Sequence, residues 1–499
     1  MRHPYHVLQR REGLTFHKTS PHVSTSAKPS LQAAETEGQA HSATLRRELG
    51  IWDLVFAQIL LVVVPDFFGT AVKAGPAHVV LWLAAILLFF IPLALIVAHL
   101  NRLMPLEGGL YEWARLAFND QIGFLVAWNL WLFVILYVAV IGVVTVSFAT
   151  YVIPGLAWMA SNKWLIIATS VAWMAAMTFV AARGLRLGKW ISNTGGFVIL
   201  ITVAVLVLTP WLNLWRGNLT EFHPLRLVLP PRTLFSLSVF SKLSFGALSG
   251  FEYIAIFAGE CRSPRRHLSR SILFTAPVIA LIYIFATASI LAFVTPESVD
   301  VVAPIPQALD LGSRAFGLAK VVAPLAIICL FLNYPTTFST YFSGSVRLPM
   351  AAGWDHLLPE WFSRLHPAYK TPVNSIFFVA AATLAASIAA LIGVGPQEAY
   401  ELLLTWGFTF YAIAYLALFA IPFLSPKDRG LRPRFWLRLA AISGFVITLL
   451  YVVLSVFPII DVEISSRYSL KIVAVVLGAN FFGWLIYRAG RGKNTSALP

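Results

Sequence analysis

Two carboxylic acids and one amine stand in stretches of this chain that are otherwise apolar. Asp66 lies in Val62-Val63-Val64-Pro65-Asp66-Phe67-Phe68-Gly69-Thr70, Lys242 follows Ser241, and Glu252 follows Ser249-Gly250-Phe251. Ionisable groups in apolar runs of membrane length are costly, and by default they mark ion or substrate pathways. A carboxylate there can hold an ammonium or guanidinium group, because opposite charges attract strongly where water is scarce. It can also take up and release a proton. Both acids adjoin a weak point of a helix: Pro65 removes a backbone donor, and Gly250 relaxes the chain.

Each group has a plainer alternative. Asp66 either meets substrate or proton, or pairs with Lys242 and ties the first apolar run to the sixth. Lys242, a coupling candidate through that pair, reads as structural, some two turns from the outer end of its run and able to snorkel outward. Glu252 organises a site or carries a proton, or else makes a structural hydrogen bond. Phe67, Phe68, Gly69 and Thr70 share the first break with Asp66. Phe245, Ser249, Gly250 and Phe251 surround the second, with the two phenylalanines as gate or pocket walls.

A further polar patch, Asn333-Tyr334-Pro335-Thr336-Thr337-Phe338-Ser339-Thr340, falls inside the eighth apolar run. Asn333 and Tyr334 are candidate substrate contacts. Thr336, Ser339 and Thr340 are candidate sodium ligands, although small hydroxyl residues more commonly serve helix packing. Trp128 and Asn129 of the third run are pathway candidates, with Trp131 and Tyr137 beside them. Cys261 and Cys329 have no metal or disulfide spacing. No metal cluster, nucleophile–base pair or phosphate loop appears, so neither an enzyme nor a cofactor is expected.

The elements that must position these groups are membrane helices. Hydrophobic residues make up 58% of the chain, charged residues 12%, and mean hydropathy is +0.77, which excludes a soluble enzyme. About 20 apolar residues span the hydrocarbon core, and twelve such stretches can be traced: 51–74, 79–104, 122–153, 163–182, 190–213, 236–258, 271–295, 318–346, 375–392, 400–423, 435–457 and 469–487. The expected fold is an all-α integral membrane protein of twelve transmembrane helices.

The net charge of +15 does not call for nucleic acid. With the N-terminus inside, 27 of the 37 Lys and Arg fall in inner segments and nine in outer ones, the positive-inside pattern of a multi-pass protein in a cell membrane with both termini cytoplasmic. Residues 1–48 lack a signal-peptide core and read as a disordered cytoplasmic tail. The breaks near Asp66 and Glu252 sit five spans apart, so a unit of five spans repeated once would be inverted. Paired broken helices are a sequence pointer to a transport site. Their freed N–H and C=O groups would face the midplane and hold a carboxylate and an amine together.

Four ordered motifs carry a resemblance. Phe245-Gly246-Ala247-Leu248-Ser249-Gly250-Phe251-Glu252, with Gly259-Glu260 and Ser263-Pro264-Arg265-Arg266, resembles the sixth-helix signature of the amino acid-polyamine-organocation permeases. Pro105-Leu106-Glu107-Gly108-Gly109-Leu110-Tyr111-Glu112-Trp113 through Gly123-Phe124 and Trp128 resembles that family's helix 2–3 junction. Arg183-Gly184 with Asn193 resembles the start of helix 5, and Arg347-Leu348-Pro349 through Trp354-Asp355, Leu358-Pro359, His366-Pro367 and Thr371-Pro372 the loop after helix 8. Lys73-Ala74-Gly75-Pro76 and Leu88-Phe89-Phe90-Ile91-Pro92 further resemble the glutamate:GABA-antiporter-like and polyamine-uptake branches.

The resemblance implies a five-plus-five inverted repeat with broken helices 1 and 6 and two extra C-terminal helices: 1–48 tail, 49–215 first repeat, 233–424 second repeat, 432–488 last two helices, 489–499 tail. It implies alternating access on amino acids, coupled to protons or exchange, with no cofactor. Two departures stand out. Gly69 is the one glycine left where many members carry a cluster that grips a carboxylate, and Asp66 beside it repels anions and attracts cations. The helix 5 interior, 191–212, lacks the lysine that replaces sodium in some members. A polyamine or organic-cation permease is therefore one alternative, and a transporter-like nutrient sensor is another.

Overall fold

The computed structural model describes residues 49–104, 109–152, 155–183, 188–219, 225–257, 261–317, 319–351, 360–364, 366, 371–424, 434–460, 462 and 464–495. The expected tail 1–48, residues 496–499, and parts of the helix 2–3, helix 6 and post-helix-8 motifs lie outside them.

The described chain is almost wholly helical. The apolar runs fold this way because a backbone at membrane depth must bond to itself. In chain order the helices are α1 Ile51–Val62, α2 Asp66–Val72, α3 Gly75–Leu103, α4 Leu110–Ala117, α5 Asp120–Val152, α6 Lys163–Arg183, α7 Gly188–Trp215 and α8 Leu234–Ser241. They continue as α9 Pro264–Leu291, α10 Pro304–Arg314, α11 Ala319–Ala351, α12 Val373–Ala390, α13 Pro396–Leu424, α14 Phe435–Leu454 and α15 Ser465–Thr495. Side-chain caps start two of them: Asn119 Oδ1 accepts from the Ile122 amide at 2.9 Å, and Thr233 Oγ1 accepts from the Ser236 amide at 3.2 Å.

Ten helices among the described residues are long and apolar enough to cross a membrane, or eleven when the bent pair α1 and α2 counts as one span. The 33-residue α11 occupies the place of the eighth expected span, with Pro324, Pro335 and Pro349 inside it. The last helix runs to Thr495, past the expected start of the C-terminal tail. Exposed tryptophans gather toward the two ends, Trp158, Trp164 and Trp215 at one and Trp52, Trp361 and Trp436 at the other, as the two faces of a bilayer require.

Both expected breaks are present. α1 and α2 meet at 56°, and the gap is Val63–Pro65, so it overlaps the expected Pro65–Gly69 only at Pro65. The reason is that Pro65, already at helical φ and ψ, caps the next helix, where a missing N–H costs nothing. α8 passes into a π turn, Lys242–Ala247, then opens at Ser249-Gly250 before a 3-10 turn, Phe251–Phe257. Gly250 has φ +123°, a conformation that side chains rarely adopt. A second π turn, Ile86–Phe90 in α3, lies against the first. It leaves the Leu88 carbonyl to accept from Ser443 Oγ of α14 at 2.6 Å.

Candidate functional site

The broken helices do not end in bare backbone groups, contrary to the sequence expectation, because tyrosines fill the gaps. Tyr341 of α11 donates to the Leu61 carbonyl at 3.2 Å. The Tyr283 hydroxyl of α9 lies 2.8 Å from the Val62 carbonyl and 2.9 Å from the Ala247 carbonyl, and it accepts from the Val64 amide at 3.0 Å. One hydroxyl has one proton, so Tyr283 serves one break's carbonyl at a time and ties the two together. The Gly250 amide donates to the Tyr415 hydroxyl of α13 at 2.9 Å.

Asp66, at the start of α2, is 2% exposed. Tyr334 and Tyr400 donate to its Oδ1 at 3.0 and 2.6 Å, and Tyr137 to its Oδ2 at 3.2 Å. These tyrosines come from α11, α13 and α5, the eighth, tenth and third expected spans. Hydrogen bonds to a carboxylate are about twice as strong as neutral ones, yet three hydroxyls supply no positive charge. Among the described residues Asp66 has no cationic partner.

The alternative pair between Asp66 and Lys242 is absent. Lys242 is buried and ion-paired with Glu401 of α13, with Thr405 Oγ1 at 3.3 Å. It therefore neither ties Asp66 nor snorkels outward. A buried cation needs a nearby anion more than it needs the interface, and Glu401 is the neighbour in sequence of Tyr400. α13 thus holds the first break through Tyr400 and the sixth-span π turn through Glu401.

Glu252 is also buried. Tyr411 donates to its Oε1 and Tyr415 to its Oε2, four residues apart on one face of α13. Aromatic rings fill the space between the two acids. Phe67 meets Phe408 at 4.9 Å edge-on, Phe408 lies 5.7 Å from Tyr137, and Phe133 stacks on Tyr411 at 4.2 Å. Gly246 lies against the Phe67 ring, so a side chain there has no room.

Other candidate residues fall around this centre. Phe68 lies against Tyr283 at 5.2 Å, and Gly69 meets the Val301 backbone, which a Cβ would approach to 2.8 Å. Thr70 and Asn333 are buried, and so is Ser249, whose hydroxyl has no partner among the described residues. Phe245 contacts Phe89, Tyr411 and Tyr415, while Phe251 stacks on Phe90 at 4.9 Å.

Trp128 and Asn129 do not join the acids. The Trp128 indole donates to the Ala479 carbonyl at 3.0 Å and Asn129 Nδ2 to Asn480 Oδ1 at 2.8 Å, so both face α15. The sodium candidates share one face of α11. Thr336 and Thr340 donate to the Leu332 and Thr336 carbonyls of their own helix, and Ser339 is half-buried beside them. The buried unpartnered hydroxyl of this stretch belongs to Thr337.

Sequence reading missed Tyr283, Tyr341, Tyr400, Glu401, Tyr411 and Tyr415. The last four carried a signal, an acid and three phenols on an otherwise apolar tenth span.

A cavity of about 350 Å³ opens near the end of α2, lined in part by Lys73, Glu297, Asp300 and Gln397. Gln397 lies one turn before Tyr400, and Lys73 lies seven residues beyond Asp66, about 10 Å along a helix. Asp300 pins the cavity wall, accepting from Tyr151 at 2.9 Å and from the Val302 amide at 3.0 Å.

Comparison with known proteins adds to this geometry. A family model described as amino acid permease matches residues 49–479. The chain is 25% identical over 398 residues to the branched-chain amino acid permease BcaP of Bacillus subtilis, covering 74% of this chain and 81% of BcaP. It is 26% identical over 243 residues to the probable agmatine/putrescine antiporter AguD of Lactococcus lactis, covering 48% and 51%. Among solved structures it resembles an Eremococcus coleocola manganese transporter, with TM-score 0.54 and 14% identity over 90% of this chain and 98% of the other, a likeness of fold.

Proposed function

The chain belongs to the amino acid permease family, and on that premise we propose that this multi-pass membrane transporter is a secondary carrier that moves amino acids by alternating access. The observation that carries the reading is Asp66, a buried carboxylate at a helix break whose partners among the described residues are tyrosine hydroxyls. A substrate ammonium supplies the charge that these hydroxyls lack, and each phenol can turn from the carboxylate to the incoming group.

The cavity near the end of α2 is the approach, with Val301 in its wall and Gly69 packed against the Val301 backbone. The five-plus-five repeat with boundaries 49–215, 233–424 and 432–488 fits two breaks held by one hydroxyl, since tilting either half-helix disturbs Tyr283. Glu252, caged by two phenols, is the group that carries a coupling proton or senses exchange. A proton carried by Glu252 is the coupling ion this reading favours; sodium at Thr336, Ser339 and Thr340 is the alternative, since a hydroxyl that donates into its own helix keeps lone pairs for a cation. The excess of Lys and Arg in the expected inner segments supports cytoplasmic termini, and the cell membrane is the location proposed with them.

A polyamine or organic-cation substrate is the second reading, favoured by the same unneutralised Asp66 and by the single glycine at the first break. The named activity of AguD is consistent with it.

The test is a screen of labelled amino acids and polyamines in proteoliposomes, with and without a pH gradient, sodium or internal counter-substrate. We expect accumulation of at least one amine-bearing substrate, driven by protons or counter-substrate and indifferent to sodium. Binding without flux contradicts the carrier and favours a sensor.

A further inference from the structure

The first turns of α9 carry charge that the transport site does not use. Arg266 and Arg270 are exposed one turn apart on the same face, and Arg262 is exposed just before the helix. None has an acidic partner among the described residues. Along the same face Leu273, Phe274, Val278 and Leu281 follow, exposed by 66, 56, 39 and 55%. The stripe turns from cationic to apolar within a single turn.

Two neighbouring helices widen it. Trp52 of α1 is 66% exposed, with its ring 6.3 Å from that of Phe274. The Arg262 amide donates to the Leu49 carbonyl at 3.2 Å, which holds the start of α1 beside α9. Ser269 Oγ donates to the Ala98 carbonyl at 3.1 Å, and this brings the exposed Arg102 of α3, one turn further on, to the same end as Arg266.

We propose that this stripe is a binding site for an anionic phospholipid, with its phosphate between Arg266 and Arg270 and an acyl chain along Trp52, Leu273 and Phe274. Guanidinium forks match phosphate oxygens in two-point geometry. Exposed Trp52 and Phe274 are the wall that a chain attached to that phosphate needs, and a free phosphate leaves it unused. Basic pockets between membrane helices bind acidic headgroups in this way.

The full-length protein is reconstituted in phosphatidylcholine vesicles containing brominated phosphatidylglycerol or, separately, brominated phosphatidylcholine. The Trp52 signal is taken as the difference between the protein and its Trp52→Phe variant. Brominated phosphatidylglycerol is expected to quench it about twofold or more above brominated phosphatidylcholine, because charge adds to chain contact. The preference disappears in Arg266→Gln/Arg270→Gln, persists in Arg467→Gln at the opposite end, and survives added inorganic phosphate. Equal quenching by the two lipids overturns the site, as does a preference that survives the double substitution. Loss to inorganic phosphate overturns the lipid in favour of a free anion.

Discussion

Asp66 and Glu252 are held by one chemistry, Asp66 from α5, α11 and α13 and Glu252 from α13. Each buried carboxylate accepts from tyrosine hydroxyls, Asp66 from three and Glu252 from two. A phenol donates to an ionised acid and accepts from a protonated one, so such a cage tolerates both states of Glu252. If Glu252 carries the coupling proton, Glu252→Gln keeps counterflow of labelled substrate while abolishing accumulation driven by a pH gradient. Loss of both activities, or retention of both, removes that role. The two acids were legible in the sequence because a charge in an apolar run is conspicuous. Their cages were not, since a tyrosine in a membrane helix serves equally as interface anchor, ring packing or hydrogen-bond donor. The Lys242–Glu401 pair spans 159 positions, and one sequence does not say which acid meets which amine.

At the scale of elements, the breaks were legible to within a few residues and the rotations of the helices were not. Pro65 and Gly250 are local chemistry, so the interrupted spans could be read directly. Trp128 and Asn129 face α15 instead of the acids, because a helix that is apolar all round gives no sign of which side meets lipid and which meets protein. The π turn Ile86–Phe90 was likewise hidden. It places Phe89 against Phe245 and Phe90 against Phe251, one on each side of the Ser249-Gly250 break. Ser443 supplies the donor that the turn's Leu88 carbonyl needs. Ser443→Ala should therefore lower unfolding stability by about 1 kcal/mol, the net worth of one hydrogen bond, while Ser443→Thr retains it. Equal denaturation midpoints for wild type and Ser443→Ala in detergent would show that the latch contributes nothing.

For the whole molecule, length, hydropathy and the bias of Lys and Arg were enough to read a multi-pass membrane protein, and the helices follow those runs. At the proposed site, substrate choice depends on where α2, α5, α11 and α13 converge, a property of packing that composition does not carry. That convergence makes Asp66 the centre of the account. The most direct measurement is uptake by Asp66→Asn in proteoliposomes, scored for arginine, putrescine and leucine against wild type, with thermal unfolding run alongside. Asparagine keeps the size and most hydrogen bonds of the site and removes the charge. Transport of the amine-bearing substrate is expected to fall about tenfold or more, as one lost charge contact of ~1.4 kcal/mol requires, with the unfolding midpoint nearly unchanged. Undiminished flux in Asp66→Asn would contradict it.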